Sequence, residues 1–179
     1  MAQLDIIIAP DPRLKEKAKP VAKVDDSVRK LMDDMLETMY AAPGIGLAAP
    51  QVGVLKRVIV VDVAKEGEVA QPHRMANPEL VWVSDDDIVY NEGCLSLPEH
   101  YADVTRPAAI RVRYLDEQNE IRELEADGVL AVCIQHEMDH LDGDLFVDHI
   151  TALKRNMILR KLLKAKKTGN FERDREHAL

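Results

Sequence analysis

The stretch Cys133-Ile134-Gln135-His136-Glu137-Met138-Asp139-His140-Leu141-Asp142-Gly143 decides how the rest of the chain is read. It holds H-E-x-x-H inside a run of helical character. Four residues advance about one helical turn, so His136 and His140 share a face and can share a metal ion. Glu137 follows the first histidine directly, an offset that sets its carboxylate beside the open position of a bound metal, where it can take a proton from water. A helix that carries two histidines and a glutamate by accident is the bland alternative. Val129, Leu130, Val132 and Ile134 make the helix apolar even on its flanks, which predicts burial. Asp127 is placed to cap its start and Gly143 to end it.

Two imidazoles need a third protein ligand. One metallopeptidase pattern supplies a third histidine where this chain has Phe146, and another supplies a Glu from a later helix, yet no Glu occurs between His140 and Glu172. A peptidase cutting internal bonds is therefore poorly supplied. Cys133 is on the same helix face as His140 but about 10 Å away along the axis, which suits lining a pocket better than sharing the ion. Cys94, in Asn91-Glu92-Gly93-Cys94-Leu95-Ser96-Leu97-Pro98, is a credible third ligand; one Cys with two His leaves a position for water. A purely structural metal would close that fourth position and need no Glu beside it.

A third stretch, Gly44-Ile45-Gly46-Leu47-Ala48-Ala49-Pro50-Gln51, loosely satisfies a dinucleotide fingerprint. Context rules against that reading, because the stretch follows a helix and runs into a strand, the reverse of what a dinucleotide loop requires. Its two glycines would instead let another backbone approach closely, and the substrate's, added as a strand, is the one expected. Gln51 offers a neutral amide donor of the type that holds an oxyanion, with an ordinary surface amide as its alternative.

These three motifs, in this order and spacing, resemble the bacterial-type peptide deformylases, from near residue 4 to about residue 167. The resemblance implies removal of the formyl group from the amino-terminal formyl-methionine of new proteins, with release of formate. It implies one divalent metal on Cys94, His136 and His140, with ferrous iron expected in the cell and zinc, nickel or cobalt as substitutes. Glu137 would move the proton, and Gln51 with the Leu95 backbone amide would hold the oxyanion. Ile45, Gly46, Glu92, Val129, Val132 and Cys133 would form the methionine pocket, and Arg106 would fix Glu92. Tyr101 stands where many relatives carry a basic residue, which bears on preferences beyond the methionine.

The length of 179 residues, with 46% hydrophobic and 31% charged content, suits one globular domain, expected over residues 1–167 with a flexible tail at 168–179. A net charge of −8 argues against general nucleic-acid binding. No leader-like or membrane-length apolar run is visible, so a cytoplasmic protein, monomeric and without membrane contact, is expected. Helical spacing of Val28, Leu31, Met32, Met35, Leu36 and Met39 predicts an amphipathic helix starting at Asp25 or Asp26. Strands are predicted over Val54 to Val63 and Leu80 to Val83, with Trp82 in the core, and from Ile88 into the cysteine motif. A hairpin is predicted from Ala109–Leu115 and Ile121–Leu124. The fold expected is α+β: antiparallel sheets around the buried metal-binding helix, with an amino-terminal and a carboxyl-terminal helix.

The last helix, Ala152 to Lys167, carries Lys154, Arg155, Arg160, Lys161, Lys164, Lys166 and Lys167 and no acid. Leu153, Met157, Ile158, Leu159, Leu162 and Leu163 are expected to dock it on the domain. The basic groups would then face outward, available to ribosomal RNA near the exit of nascent chains; a helix that simply packs on the domain is the alternative.

Overall fold

The computed structural model describes residues 2–168. The amino-terminal lead-in contains a short 3-10 turn, Pro12–Lys15, and leads to helix α1, Asp26–Ala41. Asp25 accepts the Val28 amide and so supplies the cap that the sequence offers. The Val28, Met32, Met35, Leu36 and Met39 stripe is buried, so the methionines are core rather than a binding surface.

Seven strands follow: β1 Gly46–Ala48, β2 Val58–Val61, β3 His73–Val83, β4 Asp87–Cys94, β5 Leu97–Pro107, β6 Ala109–Leu115 and β7 Ile121–Asp127. They form a five-stranded antiparallel sheet in the order β1-β2-β3-β6-β7 and a separate β4-β5 hairpin. Helix α2, Gly128–Leu141, packs on β1, β2 and the hairpin; α3, Ala152–Thr168, closes the described chain. The architecture is the expected α+β arrangement, with α2 at its centre. Residues 169–179, where most of the flexible tail was expected, lie outside the described residues.

Several local expectations are corrected. The strand expected over Val54 to Val63 shrinks to Val58–Val61, because Val54 turns back to bond the Ala49 carbonyl and Lys56 forms an isolated bridge with Lys19. Conversely, β3 begins at His73, well before the Leu80 start expected for that strand, since Met75 and Ala76 pair with Ile59 and Val58. Trp82 is not core. It is 47% exposed, with the Arg111 guanidinium 6.0 Å from its ring centre. A register irregularity between Leu80 and Trp82 interrupts the two-residue alternation that would have put both on one face.

Asp127 occupies the residue before α2 but makes no capping bond through its side chain. Gly143 does end the helix, at φ +80°, and a Cβ there would stand 2.4 Å from the Lys15 carbonyl oxygen, so both backbone shape and space demand glycine. In α3 only Leu162 is fully buried. Leu153, Met157 and Leu163, expected to dock, remain 71%, 48% and 42% exposed.

Candidate metal centre

Helix α2 presents His136 and His140 one turn apart, with ring centroids 5.2 Å apart and planes near perpendicular. The β4-β5 hairpin brings Cys94 to the same point. One ligand atom from each of Cys94, His136 and His140 falls within 4.8 Å of the others, all three residues being buried. Cys94 Sγ is 3.4 Å from His140 Nε2. His136 Nδ1 meets Glu92 Oε1 at 2.8 Å, which leaves buried Nε2 without a protein partner and its lone pair available to an ion. One soft thiolate and two imidazoles suit a divalent transition metal, so the residues fit the group the sequence implied.

Glu137 stands beside this cluster. Both of its oxygens are buried without a partner, and one lies 3.6 Å from His136 Nε2. Burial pushes its carboxyl up to about 7. A carboxyl with that pKa can hold or release a proton near neutrality. His140 is driven well below its ordinary value, first by burial and then by the facing His136.

Gln51, fully buried in a 3-10 turn after β1, is oriented by the backbone: its Oε1 accepts from the Ala48 amide at 2.9 Å. That leaves Nε2 directed at Ser96 Oγ, 3.1 Å away, and at Cys94 Sγ, 3.5 Å away. The amide is thus part of the site and not a surface group. Leu95 lies in the two-residue turn between β4 and β5, next to Cys94. The lead-in ties these parts together, because Ile7 donates to the Gln51 carbonyl and Ala9 to the Ser96 carbonyl.

The structure also says what the motif glycines do. A Cβ on Gly46 would meet Cys133 Sγ at 2.8 Å and Glu137 Cγ at 2.9 Å, and one on Gly44 would meet the Leu95 side chain at 2.7 Å. The volume a side chain would take at either glycine is thus filled by the protein's own motifs, which lets β1 sit directly against α2 and the Cys94 turn. Likewise Gly93 makes room for the Tyr101 ring, 2.4 Å from where its Cβ would be.

Among the expected pocket residues, Ile45, Val132 and Cys133 share one apolar cluster, and Cys133 Sγ points to the Ile45 carbonyl at 3.5 Å. Val129 is half-buried in the first turn of α2. Glu92 is different: its carboxylate is taken by Arg106, at 2.6 and 2.9 Å, and by His136. Burial alone would raise its pKa, but those two partners hold it below the ordinary value. It braces a ligand from behind, and the Arg106 pairing expected for it is present.

Sequence reasoning missed Ser96, Asp139, Phe146 and His149. Ser96 accepts from Gln51, and Asp139 bonds both Arg106 and His149. Phe146 stacks on the His136 ring at 6.1 Å. Asp139 lies three residues after His136, a spacing that places it on a neighbouring helix face and could have been weighed.

The model of the polypeptide deformylase family matches residues 3–156. A peptide deformylase of Phenylobacterium zucineum is 59% identical over 169 residues, 94% of this chain and the whole of the relative. The crystal structure of the peptide deformylase from Ehrlichia chaffeensis superposes with a TM-score of 0.90 at 41% identity, covering 94% of this chain and 99% of that one. Another Ehrlichia chaffeensis structure, in complex with actinonin, gives 0.88 at 42% identity over 95% and 100%. On this evidence and the geometry above, the chain belongs to the polypeptide deformylases, hydrolases that remove the formyl group from the amino-terminal formyl-methionine of new proteins.

Proposed function

We propose that Cys94, His136 and His140 hold one divalent metal ion at which the formyl-methionine end of a nascent chain is deformylated. The observation that carries this reading is the buried ligand cluster with an unpartnered Glu137 carboxylate beside it. When bound, the ion supplies Lewis acidity, lowering the pKa of water and polarising the formyl carbonyl. Glu137 takes the proton of that water and returns it to the departing amine, a task suited to a buried carboxylate whose two oxygens have no other partner. The Gln51 side-chain amide and the Leu95 backbone amide donate to the oxyanion. Ile45, Gly46, Val129, Val132 and Cys133, with Glu92 beneath, form the methionine pocket, and β1, a terminal strand of its sheet, offers an edge along which the peptide lies.

Ferrous iron is the metal proposed for the cell, with zinc, nickel or cobalt able to replace it; the thiolate-imidazole donor set suits all of them. The enzyme is proposed to act as a cytoplasmic monomer. Among the described residues no helix is long and apolar enough to cross a membrane. The exposed Arg160, Lys161 and Lys164 of α3 are proposed to contact ribosomal RNA where nascent chains emerge. Reversing those three charges should reduce ribosome co-sedimentation and spare hydrolysis of a short formyl peptide. Survival of binding at low salt would rule the contact out. For the catalytic reading, formate release from a formyl-methionyl peptide is set against cleavage of an unblocked protein. Release with no cleavage is the expected result, and the converse would point to a peptidase.

A further inference from the structure

We infer that His149 is a positioning residue for the metal site, acting on the His136 ring through Asp139, Arg106 and Glu92. The inference rests on the metal-site reading above and adds a residue that neither the motif nor the ligand set includes. His149 Nε2 meets Asp139 Oδ2 at 2.8 Å, and the same oxygen accepts from Arg106 Nη1 at 2.8 Å. Arg106 then reaches Glu92 Oε2 through Nε at 2.6 Å and Glu92 Oε1 through Nη2 at 2.9 Å. Glu92 Oε1 takes the His136 Nδ1 hydrogen at 2.8 Å. Every link is a hydrogen bond of ordinary length, and together they run from a side chain 38% exposed to a ligand ring 1% exposed.

The chain has a physical reason to depend on its outer end. One guanidinium serves two carboxylates, so the orientation of Glu92 is set by where Arg106 sits, and that in turn by how firmly Asp139 is held. The Asp139 side chain is 23% exposed, and the two contacts drawn above fix it against water: Arg106 from within and His149 from without. Removing His149 leaves Asp139 free to turn outward and relaxes the fork that orients the His136 ring. A group that bonds a metal ligand directly, as Glu92 does here, alters metal affinity by about 10- to 100-fold when lost, and a group acting through it alters affinity by a fraction of that.

A second contact comes from the same place. His149 ends the 3-10 turn Phe146–His149, and Phe146 at its start stacks on the His136 ring with planes 24° apart. Asp148 anchors the turn by accepting from the Leu145 amide at 2.8 Å and from Lys15 Nζ at 2.6 Å. One short turn thus approaches the ligand ring by its face directly and by its Nδ1 edge through the polar chain. A mere surface ion pair, worth little to stability, would leave the metal indifferent to His149.

The test compares the full chain with His149→Ala and His149→Gln, each loaded with zinc or with cobalt. Transfer of zinc to a chelator should be about 3- to 10-fold faster from His149→Ala, and the visible bands of its cobalt form should shift. His149→Gln keeps an N–H donor for Asp139 and should resemble the parent in both readouts. Urea unfolding of the metal-free forms should show little difference among the three. Parent-like zinc release and cobalt bands in His149→Ala would overturn this inference alone. So would equal loss in the two variants, or loss that only follows metal-free stability. A parent that takes up no zinc would overturn the metal-site reading, and the inference with it.

Discussion

Helices α2 and α3 have similar lengths and both show helical patterning in the sequence, yet they lie at opposite depths. In α2 every residue from Ala131 to Glu137 is buried, including Gln135, His136 and Glu137. In α3 only Leu162 is. A polar group at the depth of α2 must find a partner or carry a task, and most do: Gln135 bonds the Pro107 and Ala131 carbonyls, and His136 bonds Glu92. The polar groups of α3 mostly face outward, and Arg155, 4.0 Å from Asp148, makes only a loose surface ion pair. Mutation should therefore be costly around α2 and cheap along most of α3.

The largest effect on stability should come from breaking the buried charge network behind α2. Arg106 is 5% exposed and Glu92 fully buried, so Arg106→Leu leaves two carboxylates without their cation and should cost about 3–5 kcal/mol by urea unfolding. A cost under about 1 kcal/mol would mean that Glu92 finds another partner. Next, Gly46→Ala should lose about 1–3 kcal/mol and some activity, because the new methyl group must push aside Cys133 or Glu137. Parent-like stability and turnover would show that α2 can shift, which the buried contacts deny.

On α3 the comparison can be made within one helix. Leu162→Ala should cost about 2 kcal/mol, whereas Leu153→Ala, at 71% exposure, should stay within about 0.5 kcal/mol. Similar losses at both positions would mean that α3 packs more deeply than described.

The smallest effect concerns Asp11, whose carboxyl the Arg13 side chain holds down at about 2. A lowered carboxyl stabilises the fold above its unfolded value and loses that contribution as pH falls through the folded value. Because Arg13 is more than half exposed, Asp11→Asn should cost less than about 1 kcal/mol at neutral pH. The gap to the parent should narrow as pH falls below 4. A gap that widens on acidification would reverse the sign of the interaction.

Much of the centre is legible in the sequence. H-E-x-x-H fixes the relative placement of His136, Glu137 and His140 because one helical turn is a local, rigid ruler. Joining Cys94 and Gln51 to it needed the family resemblance, since nothing local to either stretch says which element it will meet. Trp82 was misplaced because a two-residue period cannot anticipate an irregular register. The depth of α3 was misjudged because apolar residues on a helix report its potential to bury surface, not the surface available. His149 was invisible for the reason that applies to Cys94 and Gln51: its link to His136 passes through residues from three separate elements.

The central claim is that Glu137 moves the proton at a metal held by Cys94, His136 and His140. The most direct test measures kcat for formate release from a formyl-methionyl peptide in the parent and in Glu137→Gln, with the metal content of each determined. The amide keeps the shape of the side chain and removes the base. One metal per chain in both, with kcat lower by about 10²- to 10⁴-fold in the variant, is the predicted result. A metal-loaded variant within a few-fold of the parent would contradict the account.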